Sequence, residues 1–380
     1  MKTLVTGAAG FIGYHVSTRL LERGEEVFGI DSLNAYYDPR LKRTRLDRLL
    51  RRPGFEFAQI DVADRAAMEA LFARHPFERV IHLAAQAGVR YSIENPHIYA
   101  EANLTGFLHV LEGARRAGTR HLIYASSSSV YGGNTKVPFA VADRVDSPVS
   151  LYAATKRANE LMAHCYTHLF GLPTTGLRFF TVYGPWGRPD MAPFRFAQAI
   201  LEGRSIDVYN YGRMLRDFTY IDDIAEGVVR IAAAEPHGYR LFNVGNSQPV
   251  ELLDFIAALE SAFGRRVRKH FLPLQAGDVV ATHADVEDFW QATGFRPATP
   301  LAAGIERFAE WFQDWYRNES KEGSHEYGTF SHAGSGAVSG IGIGDRSGAP
   351  ADAGNAAGIA ASSITAAGAG RRARAVLRAS

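Results

Sequence analysis

Near its beginning the chain reads Lys2-Thr3-Leu4-Val5-Thr6-Gly7-Ala8-Ala9-Gly10-Phe11-Ile12-Gly13. A short apolar run ends in glycines, and apolar residues at helical spacing follow at Phe11, Ile12, Val16, Leu20 and Leu21. This order predicts a strand, a tight turn and a helix. In that arrangement Gly7 permits the turn, Gly10 lets backbone N–H groups approach a pyrophosphate, and Gly13 lets the helix pack closely on the strand.

A second apolar run, Val27-Phe28-Gly29-Ile30, ends at Asp31, about 20 residues after the glycines. An acid at the end of this strand can accept a hydrogen bond from an adenosine ribose 2′-hydroxyl, and it repels a 2′-phosphate. Three spaced glycines also occur in ordinary turns. Here a strand precedes them, a helix follows them and an acid closes the next strand, so the pattern predicts a dinucleotide site that prefers NAD to NADP.

The composition is that of an ordinary globular protein, because 46% of the 380 residues are hydrophobic and 22% are charged. A formal net charge of +2 does not indicate a polyanionic partner, so binding of nucleic acid is not expected. Cys165 has no second cysteine to pair with, which fits a reducing compartment. No apolar run reaches membrane-spanning length, and Met1-Lys2-Thr3 leads directly into a strand. We therefore expect a cytoplasmic protein without membrane contact.

Strands and helices alternate through the first half of the chain. Strands are predicted at residues 55–60, 79–85, 121–125 and 174–180, and helices at 40–52, 63–75, 96–118 and 151–170. Such alternation forces parallel strands with helical crossovers, and ligands then bind beyond the carboxyl ends of the strands. The expected fold class is therefore α/β with a doubly wound parallel sheet. Besides the three glycines and Asp31, the residues expected around the dinucleotide are Phe11, Ile12, Asn34, Asp61, Val62, Leu83, Ala84 and Ala85, together with Lys156 on the predicted helix 151–170.

The alternation loosens after residue 180, where we expect a second, smaller lobe to begin. Its predicted helices are 193–202, 222–233, 252–263 and 301–316, and its predicted strands are 206–209, 241–244 and 267–271. From about Ser320 glycine, alanine and serine predominate, and such a segment cannot bury enough apolar surface to offset its ordering entropy. We divide the chain into a dinucleotide-binding domain at 1–177, a substrate-binding lobe at 178–319 and a disordered tail at 320–380.

The predicted helix 40–52 is rich in basic residues. These side chains could contact a cofactor or an anionic substrate, but a solvated charged face is the more ordinary role for such a helix. We therefore expect the basic side chains of this helix to be exposed to solvent.

Tyr152 and Lys156 lie four residues apart on the predicted helix 151–170, so their side chains share one face. A tyrosine needs a neighbouring cation to act as a base near neutral pH, because its reference pKa is about 10. Ser127 follows the predicted strand 121–125, at a carboxyl end where chemistry is expected. A bare Tyr-x-x-x-Lys also occurs as a surface pair. After a dinucleotide turn and a serine-bearing strand end, it predicts a proton relay of Ser127, Tyr152 and Lys156 beside a hydride acceptor.

These motifs resemble those of the extended short-chain dehydrogenase/reductase superfamily of nucleotide-sugar enzymes, which have a Rossmann fold. Three longer stretches are similar to UDP-glucuronate 4-epimerases: Asp31-Ser-Leu-Asn-Ala-Tyr-Tyr-Asp-Pro39, Ala85-Gln-Ala-Gly-Val-Arg-Tyr-Ser92 and Tyr183-Gly-Pro-Trp-Gly-Arg-Pro-Asp-Met-Ala192. The likeness covers residues 1–318, and the tail does not share the family pattern. The resemblance implies NAD-dependent inversion at C4 of UDP-glucuronate to UDP-galacturonate, and a homodimer formed through the predicted helices 96–118 and 151–170.

The resemblance also implies roles for individual residues. Tyr152 would take the proton of the 4-hydroxyl while the C4 hydride passes to NAD, giving a 4-keto sugar that turns over before hydride returns. Arg216 matches the position that meets the nucleotide diphosphate, and Gln275 and Asp278 match positions near the uridine. The residues that match or neighbour the contacts of the sugar carboxylate are Arg90, Ser128, Ser129, Thr181 and Arg188.

Other functions remain open from the sequence. Relatives that decarboxylate the sugar carry a glutamate before Val-Tyr-Gly, and 4,6-dehydratases carry an Asp-Glu pair, whereas this chain has Ser128-Ser129. Epimerisation of a neutral UDP-hexose would leave Arg188 without an ion to pair with, and a net oxidoreductase would consume exchangeable cofactor. A catalytically idle binding protein would not need an intact proton relay. His164 and His168 have zinc-ligand spacing, but no third ligand is evident, so no metal site is expected.

Overall fold

The computed structural model describes residues 2–275 and 277–321, with residues 319–321 described by their backbone alone. The strands in this part of the chain are β1 (Lys2–Thr6), β2 (Glu26–Asp31), β3 (Phe55–Gln59), β4 (Arg79–His82), β5 (His121–Ser127), β6 (Thr174–Phe179), β7 (Thr181–Tyr183), β8 (Ile206–Val208), β9 (Leu215–Tyr220), β10 (Tyr239–Val244), β11 (Pro249–Glu251) and β12 (Lys269–Phe271). The helices are α1 (Phe11–Glu22), α2 (Pro39–Leu50), α3 (Arg65–Arg74), α4 (Tyr91–Glu94), α5 (Pro96–Tyr99), α6 (Gly106–Ala117), α7 (Leu151–Phe170), α8 (Ala192–Glu202), α9 (Ile221–Ala233), α10 (Leu252–Phe263), α11 (Glu287–Thr293) and α12 (Leu301–Lys321).

One parallel sheet has seven strands in the order β10-β6-β5-β4-β1-β2-β3. Successive side chains of a strand point to opposite faces of the sheet, and the inner strands place apolar side chains on both faces. Val5 and Ile81 belong to the core that contains α1, whereas Leu4 and Val80 belong to the core that contains α6. The strand order reverses at β1, which pairs with β2 and β4 and so opens a crevice beyond its carboxyl end. This Rossmann-type sheet confirms the predicted fold class.

The other strands form two small sheets, β11-β9-β7 and β12-β8. The sequence pattern does not reveal β9, because Arg216 and Asp217 interrupt its apolar residues. Asp217 is fully buried and accepts the backbone N–H groups of Asn246, Ser247 and Ala284 at 2.8, 3.0 and 2.9 Å. These hydrogen bonds offset the cost of burying its polar oxygens and hold β9 against the segments that precede β11 and α11.

One strand lies elsewhere than the sequence predicts. Residues 241–244, predicted to lie in the smaller lobe, belong to β10, which pairs in parallel with β6 at the edge of the large sheet. Helix α9 also returns to this sheet, where Ile224 shares a core with Val16 of α1. Both elements therefore pack with the large sheet and not with the smaller ones as predicted, and a cut at residue 178 does not separate the two kinds of sheet. The division into a dinucleotide-binding domain and a substrate-binding lobe remains a prediction.

Two helices differ most from their predicted bounds. The segment predicted as one helix at 96–118 consists of α5, a π-helical segment at Ala100–Thr105 and α6. Asn103 in the π-helical segment exchanges two hydrogen bonds with the backbone of Gln86, at 2.8 and 3.0 Å. Helix α12 continues past residue 316 to Lys321, so residues 320 and 321, which were predicted to belong to the disordered tail, are helical. The remainder of that tail, from residue 322, lies outside the described residues.

Candidate active site

The turn after β1 has no room for side chains at its glycines. Gly7 has a φ of +71°, in the left-handed region that favours glycine, and a Cβ added to it would lie 2.8 Å from the Ala84 nitrogen. A Cβ on Gly10 would lie 2.9 Å from the Gly7 carbonyl oxygen, and a Cβ on Gly13 would overlap the same oxygen. The bare backbone forms a cradle at the N-terminus of α1, where a pyrophosphate can approach the N–H groups of the first helical turn. The turn therefore fits a dinucleotide.

Asp31 ends β2 beside this turn and is buried. Its Oδ2 accepts the N–H of Ala9 at 3.2 Å, and its Oδ1 accepts the N–H of Leu33 at 2.9 Å. Each carboxylate oxygen can accept more than one hydrogen bond, so capacity remains for a ribose hydroxyl. The position and the chemistry of Asp31 therefore suit the adenosine ribose of NAD.

Two basic side chains of α2 face the protein interior. The expectation that they are solvated is wrong for Lys42 and Arg45, which are only 6% and 0% exposed. Lys42 Nζ donates to the backbone and side-chain oxygens of Asn34 at 2.8 and 2.7 Å, and burial lowers the pKa of this amine to about 8. A signal for Arg45 exists in the sequence, because it lies at four-residue spacing between the buried residues Leu41 and Leu49.

Arg45 joins the glycine turn to the loop that carries Arg188. Its guanidinium donates to the carbonyl oxygen of Ala9 at 3.0 Å, and to those of Trp186 and Gly187 at 2.6 and 3.1 Å. These acceptors compensate the buried charge for its lost hydration. Arg45 therefore holds the glycine turn and the loop of Arg188 at a fixed separation.

A cavity of about 490 Å³ lies at the carboxyl ends of β1, β2, β4 and β5. It is lined by every residue predicted for the dinucleotide, namely Gly7, Gly10, Phe11, Ile12, Gly13, Asp31, Asn34, Asp61, Val62, Leu83, Ala84, Ala85 and Lys156. It is also lined by six of the predicted relay and substrate residues, Ser127, Ser128, Ser129, Tyr152, Thr181 and Arg188. The structure thus brings these residues to one site, while the role of each remains a prediction.

The cavity is not lined by four other predicted substrate residues, Arg90, Arg216, Gln275 and Asp278. Arg90 and Asp278 form an ion pair with 3.1 Å between Nη2 and Oδ2. Arg216 donates to the carbonyl oxygens of residues 279 and 280 at 2.6 and 3.1 Å, and burial lowers the pKa of its guanidinium. Arg90, Arg216 and Asp278 are therefore engaged within the protein, and the contact of all four residues with a nucleotide remains a prediction.

The relay residues are held by β5 and the first turns of α7. Ser127 ends β5, and Tyr152 and Lys156 lie one turn apart near the start of α7. Ser127 Oγ donates to Ser129 Oγ at 3.1 Å. The buried Lys156 donates from Nζ to the carbonyl oxygen of Ala125 at 3.0 Å. The amine is therefore anchored to the strand that carries the serine.

Burial shifts the pKa values of the two titratable relay groups in opposite directions. It raises the pKa of Tyr152, while a hydrogen bond with Ser127 and the charge of Arg188 lower it. It lowers the pKa of Lys156 to about 8. A pKa of about 8 leaves Lys156 mainly protonated at neutral pH. Its predicted role, to supply the cation that a phenolate at Tyr152 requires, remains a prediction.

A buried ion pair supports the strand that carries the serines. Arg178 donates through Nε and Nη2 to the two carboxylate oxygens of Glu160 at 2.8 and 2.9 Å, and Ser126 Oγ donates to Glu160 at 2.6 Å. Both charges are paired and hydrogen-bonded, which limits the cost of burying them. The pair links β6 to α7 and, through Ser126, to β5. It was missed from the sequence because Arg178 lies within an otherwise apolar strand.

Arg188 lies in the loop between β7 and α8 and lines the cavity. Its guanidinium binds the Asp190 carboxylate side-on, through Nε to Oδ1 at 3.0 Å and through Nη2 to Oδ2. Tyr36 donates its hydroxyl to the same Oδ2 at 3.2 Å. Burial favours a lower pKa for Arg188, but the Asp190 carboxylate raises it above its ordinary value. The pairing of Asp190 with Arg188 was not predicted from the sequence, because both residues lie in an irregular loop that has no periodic pattern.

No group of three or more His, Cys, Asp and Glu side chains that could hold a metal ion occurs among the described residues 2–275 and 277–321. His164, one of the two histidines at zinc-ligand spacing, packs edge-on against the Tyr239 ring with 5.0 Å between centroids. The contact described for His164 is therefore aromatic packing.

Across residues 2–275 and 277–321, every helix is too short or too polar to span a membrane.

Known sequences share this chain's pattern over most of its length. The model of the NAD dependent epimerase/dehydratase family matches residues 3–245. A probable UDP-glucuronate 4-epimerase of Rhizobium meliloti (strain 1021) is 48% identical over 335 residues, which cover 83% of this chain and 98% of the relative. UDP-glucuronate 4-epimerase 3 of Arabidopsis thaliana is 46% identical over 340 residues, covering 85% of this chain and 79% of the relative.

A solved structure has the same fold. UDP-glucuronic acid 4-epimerase from Bacillus cereus, in complex with UDP-glucuronic acid and NAD, aligns with a TM-score of 0.79 and 33% identity, covering 83% of this chain and 100% of that one. The family match includes the glycine turn, the relay and Arg188, and it confirms the resemblance drawn from the motifs. The chain therefore belongs to the NAD dependent epimerase/dehydratase family.

Proposed function

We propose that this protein converts UDP-glucuronate to UDP-galacturonate by NAD-dependent epimerisation at C4, through a 4-keto intermediate. The observation that carries the proposal is one cavity that contains both the dinucleotide turn and the relay of Ser127, Tyr152 and Lys156. Arg188 lines the same cavity and suits a sugar that carries a carboxylate. The proposal agrees with the names of relatives that share nearly half of the aligned residues.

Bound NAD would supply the acceptor and the donor of the C4 hydride. The chain itself must move the proton of the 4-hydroxyl, and Tyr152 is the group that takes and returns it. Lys156 keeps a positive charge one helical turn away and so favours the phenolate form of Tyr152. Ser127 hydrogen-bonds the substrate hydroxyl from the end of β5. Tyr152 is thus the general base, and Lys156 and Ser127 support it.

The sugar carboxylate needs its own contacts, because a 4-keto hexuronate is a β-keto acid that readily loses carbon dioxide. Decarboxylation is slow when the breaking bond cannot align with the carbonyl group. We assign the task of holding the carboxylate away from that alignment to Arg188, with Ser128, Ser129 and Thr181 at the same cavity. The absence of a glutamate before Val130 also speaks against a decarboxylase.

We assign the diphosphate to Arg216 and the uridine to Gln275 and Asp278, with Arg90 as a further substrate contact. In the free protein Arg216 is bound to carbonyl oxygens, and Arg90 is bound to Asp278. A nucleotide at these residues must therefore exchange contacts within the protein for contacts with its own diphosphate and base.

The proposal is tested by product analysis without added cofactor. Purified protein is incubated separately with UDP-glucuronate and with UDP-glucose, and the nucleotide sugars are separated by chromatography. We expect UDP-glucuronate to approach a stable mixture with UDP-galacturonate, and UDP-glucose to react far more slowly. Comparable conversion of UDP-glucose to UDP-galactose would favour a neutral-hexose epimerase. A product that stops at one equivalent of bound cofactor would favour an oxidoreductase, and no product at all would favour a binding protein.

We further propose that the enzyme is a homodimer formed through α6 and α7. These helices have at least 40% exposure at the apolar side chains of Leu108, Leu161, Leu169 and Phe170. Apolar side chains grouped on two helices suit contact with a second copy of the chain. Light scattering should give the mass of two chains, and Leu161→Lys should shift the measured mass toward that of one chain.

We place the enzyme in the cytoplasm, since its one cysteine suits a reducing compartment.

A further inference from the structure

The pairing of Arg188 leaves only part of its guanidinium available to a ligand. Nε and Nη2 face Asp190, so Nη1 and the second hydrogen of Nη2 are the donors that this carboxylate does not use. Arg188 lines the cavity, whereas Asp190 does not. A carboxylate that enters the cavity would therefore meet a guanidinium that already binds one carboxylate on another edge.

Two other segments pack around Asp190. Tyr36, from the loop after β2, donates its hydroxyl to Asp190 Oδ2 at 3.2 Å. A Cβ added to Gly88, which has a φ of +109°, would lie 2.8 Å from the Tyr36 hydroxyl and 3.8 Å from Asp190 Oδ2. The side chains of Arg188 and Asp190 are only 21% and 14% exposed. This close packing indicates a built arrangement, because an exposed pair would exchange its contacts with water.

We propose that Asp190 is a specificity-tuning residue, which orients Arg188 and shares its charge so that a hexuronate carboxylate binds without being held too tightly. This inference rests on the proposed function, because it takes Arg188 to be the contact of the sugar carboxylate. Asp190 acts through Arg188 and does not itself touch the substrate.

The physical reason is the repulsion between two carboxylates on one guanidinium. Like charges repel more strongly in a partly buried site than in water, because the effective dielectric constant is lower there and salt screens less. Asp190 therefore weakens the attraction that an unpaired Arg188 would exert on a sugar carboxylate. Weaker ground-state binding benefits an epimerase, since its 4-keto ring must leave one orientation and adopt another between the two hydride steps. Binding energy that only stabilises the first orientation slows turnover.

The test compares dissociation constants for UDP-glucuronate and UDP-glucose. Calorimetry is done on NAD-loaded protein in a Tyr152→Phe background, so that the ligands are not converted during titration. Asp190→Asn removes the charge, and we expect UDP-glucuronate to bind about tenfold more tightly, equivalent to about 1.4 kcal/mol. UDP-glucose has no carboxylate, so its affinity should change by less than about twofold, which is within ordinary titration scatter. Asp190→Glu keeps the charge and should remain near the parent affinity.

Turnover and thermal stability give independent readouts. With Tyr152 intact, Asp190→Asn should lower both KM and kcat for UDP-glucuronate, whereas a merely structural defect would raise KM. Without its partner Arg188 is a partly buried, unpaired charge, so UDP-glucuronate should also raise the Tm of the Asn variant more than that of the parent. Glu69→Gln serves as the matched control, because it removes a carboxylate from an exposed pair with Arg65 outside the cavity.

The outcomes separate this inference from the proposed function. If Arg188→Ala leaves UDP-glucuronate affinity unchanged, Arg188 is not the carboxylate contact and the substrate assignment fails. If Arg188→Ala weakens binding but Asp190→Asn does not tighten it, only the tuning role is overturned. Equal loss of affinity for both sugars in the Asn variant would show a structural role and would also overturn the inference. Should Asp190→Asn not fold, Asp190→Ser removes the same charge with a smaller side chain and must tighten UDP-glucuronate binding likewise.

Discussion

The proposed cofactor side of the cavity differs in construction from the proposed substrate side, which includes Arg90 and Asp278 outside the cavity. On the cofactor side, strand ends and backbone groups form the surface, as at Gly7 and Asp31, and their positions are fixed by the large sheet. On the substrate side, charged side chains from loops are held by partners within the protein, as in the pairs Arg188–Asp190 and Arg90–Asp278. The cofactor side is thus ready to bind, whereas a nucleotide sugar must share or replace existing contacts. This difference suits an enzyme that keeps its cofactor and exchanges its substrate.

The largest expected effect is on turnover, and it tests whether loss of the proton relay leaves the cofactor side intact. Tyr152→Phe removes one proton-transfer group and leaves the glycine turn and Lys156 in place. Turnover of UDP-glucuronate should fall at least about a hundredfold, the lower range for loss of a general base. Bound NAD, measured after release from the purified protein, should be unchanged. Near-normal turnover would exclude Tyr152 from the mechanism.

Arg188→Ala removes the proposed contact with the sugar carboxylate on the substrate side. A charge-assisted bidentate contact contributes on the order of 1.5–3 kcal/mol, so UDP-glucuronate should bind about ten- to a hundredfold more weakly. UDP-glucose binding is the control and should not change. If Arg188 also fixes the carboxylate, the variant should release more carbon dioxide from carboxyl-labelled substrate per epimerisation. Weaker binding without extra carbon dioxide would contradict the protective role alone.

Gly13→Ala tests whether the glycine turn on the cofactor side has room for a side chain. The added methyl group meets the Gly7 carbonyl oxygen, and overpacking of this kind costs about 1–3 kcal/mol of unfolding free energy. Urea denaturation measures that loss, and the purified variant should also contain less NAD. Gly133→Ala is the matched control, because a Cβ there has no neighbour within 4 Å. Equal stability of the two variants would mean that the turn can relax.

The smallest expected effect concerns the ion pair between Arg90 and Asp278. Both side chains are partly exposed, at 36% and 19%, and such pairs contribute roughly 0–1 kcal/mol. Arg90→Ala should therefore change the free energy of unfolding by less than about 1 kcal/mol. A loss as large as that of Gly13→Ala would show that the substrate side is as fixed as the cofactor side. Lys136→Ala, which breaks the pair with Asp143, controls for loss of a surface charge.

Those features of the site that depend on local spacing could be predicted from the sequence. Gly7 and Gly13 mark a turn that few other residues permit, Asp31 closes the next strand, and Tyr152 and Lys156 are one helical turn apart. The alternation of strands and helices likewise gives the parallel sheet. The spacing signals are each contained within about 20 residues, so tertiary contacts do not change their meaning.

Other features depend on contacts between distant segments. Arg45 is buried because carbonyl oxygens of Ala9 and Trp186 accept its protons, and α2 alone does not reveal those partners. Asp190 meets Tyr36 across a long sequence separation. Strand β10 follows elements of the smaller sheets, so chain order wrongly predicts its place. The sequence therefore indicates the cofactor side better than the substrate side.

The return of β10 and α9 to the large sheet has a consequence for how the protein can be divided. A chain cut at residue 177 would keep the glycine turn and the relay, but it would end within β6 and lose β10, which covers the edge of that strand. It would also uncover the side of α1 on which α9 packs, and it would lose the bridge from Arg23 to Glu226 at 2.8 Å. An uncovered strand edge and apolar helix face promote aggregation. The cofactor-binding part is therefore not a transferable module, and exchanging substrate regions between relatives requires these two elements to remain with the sheet.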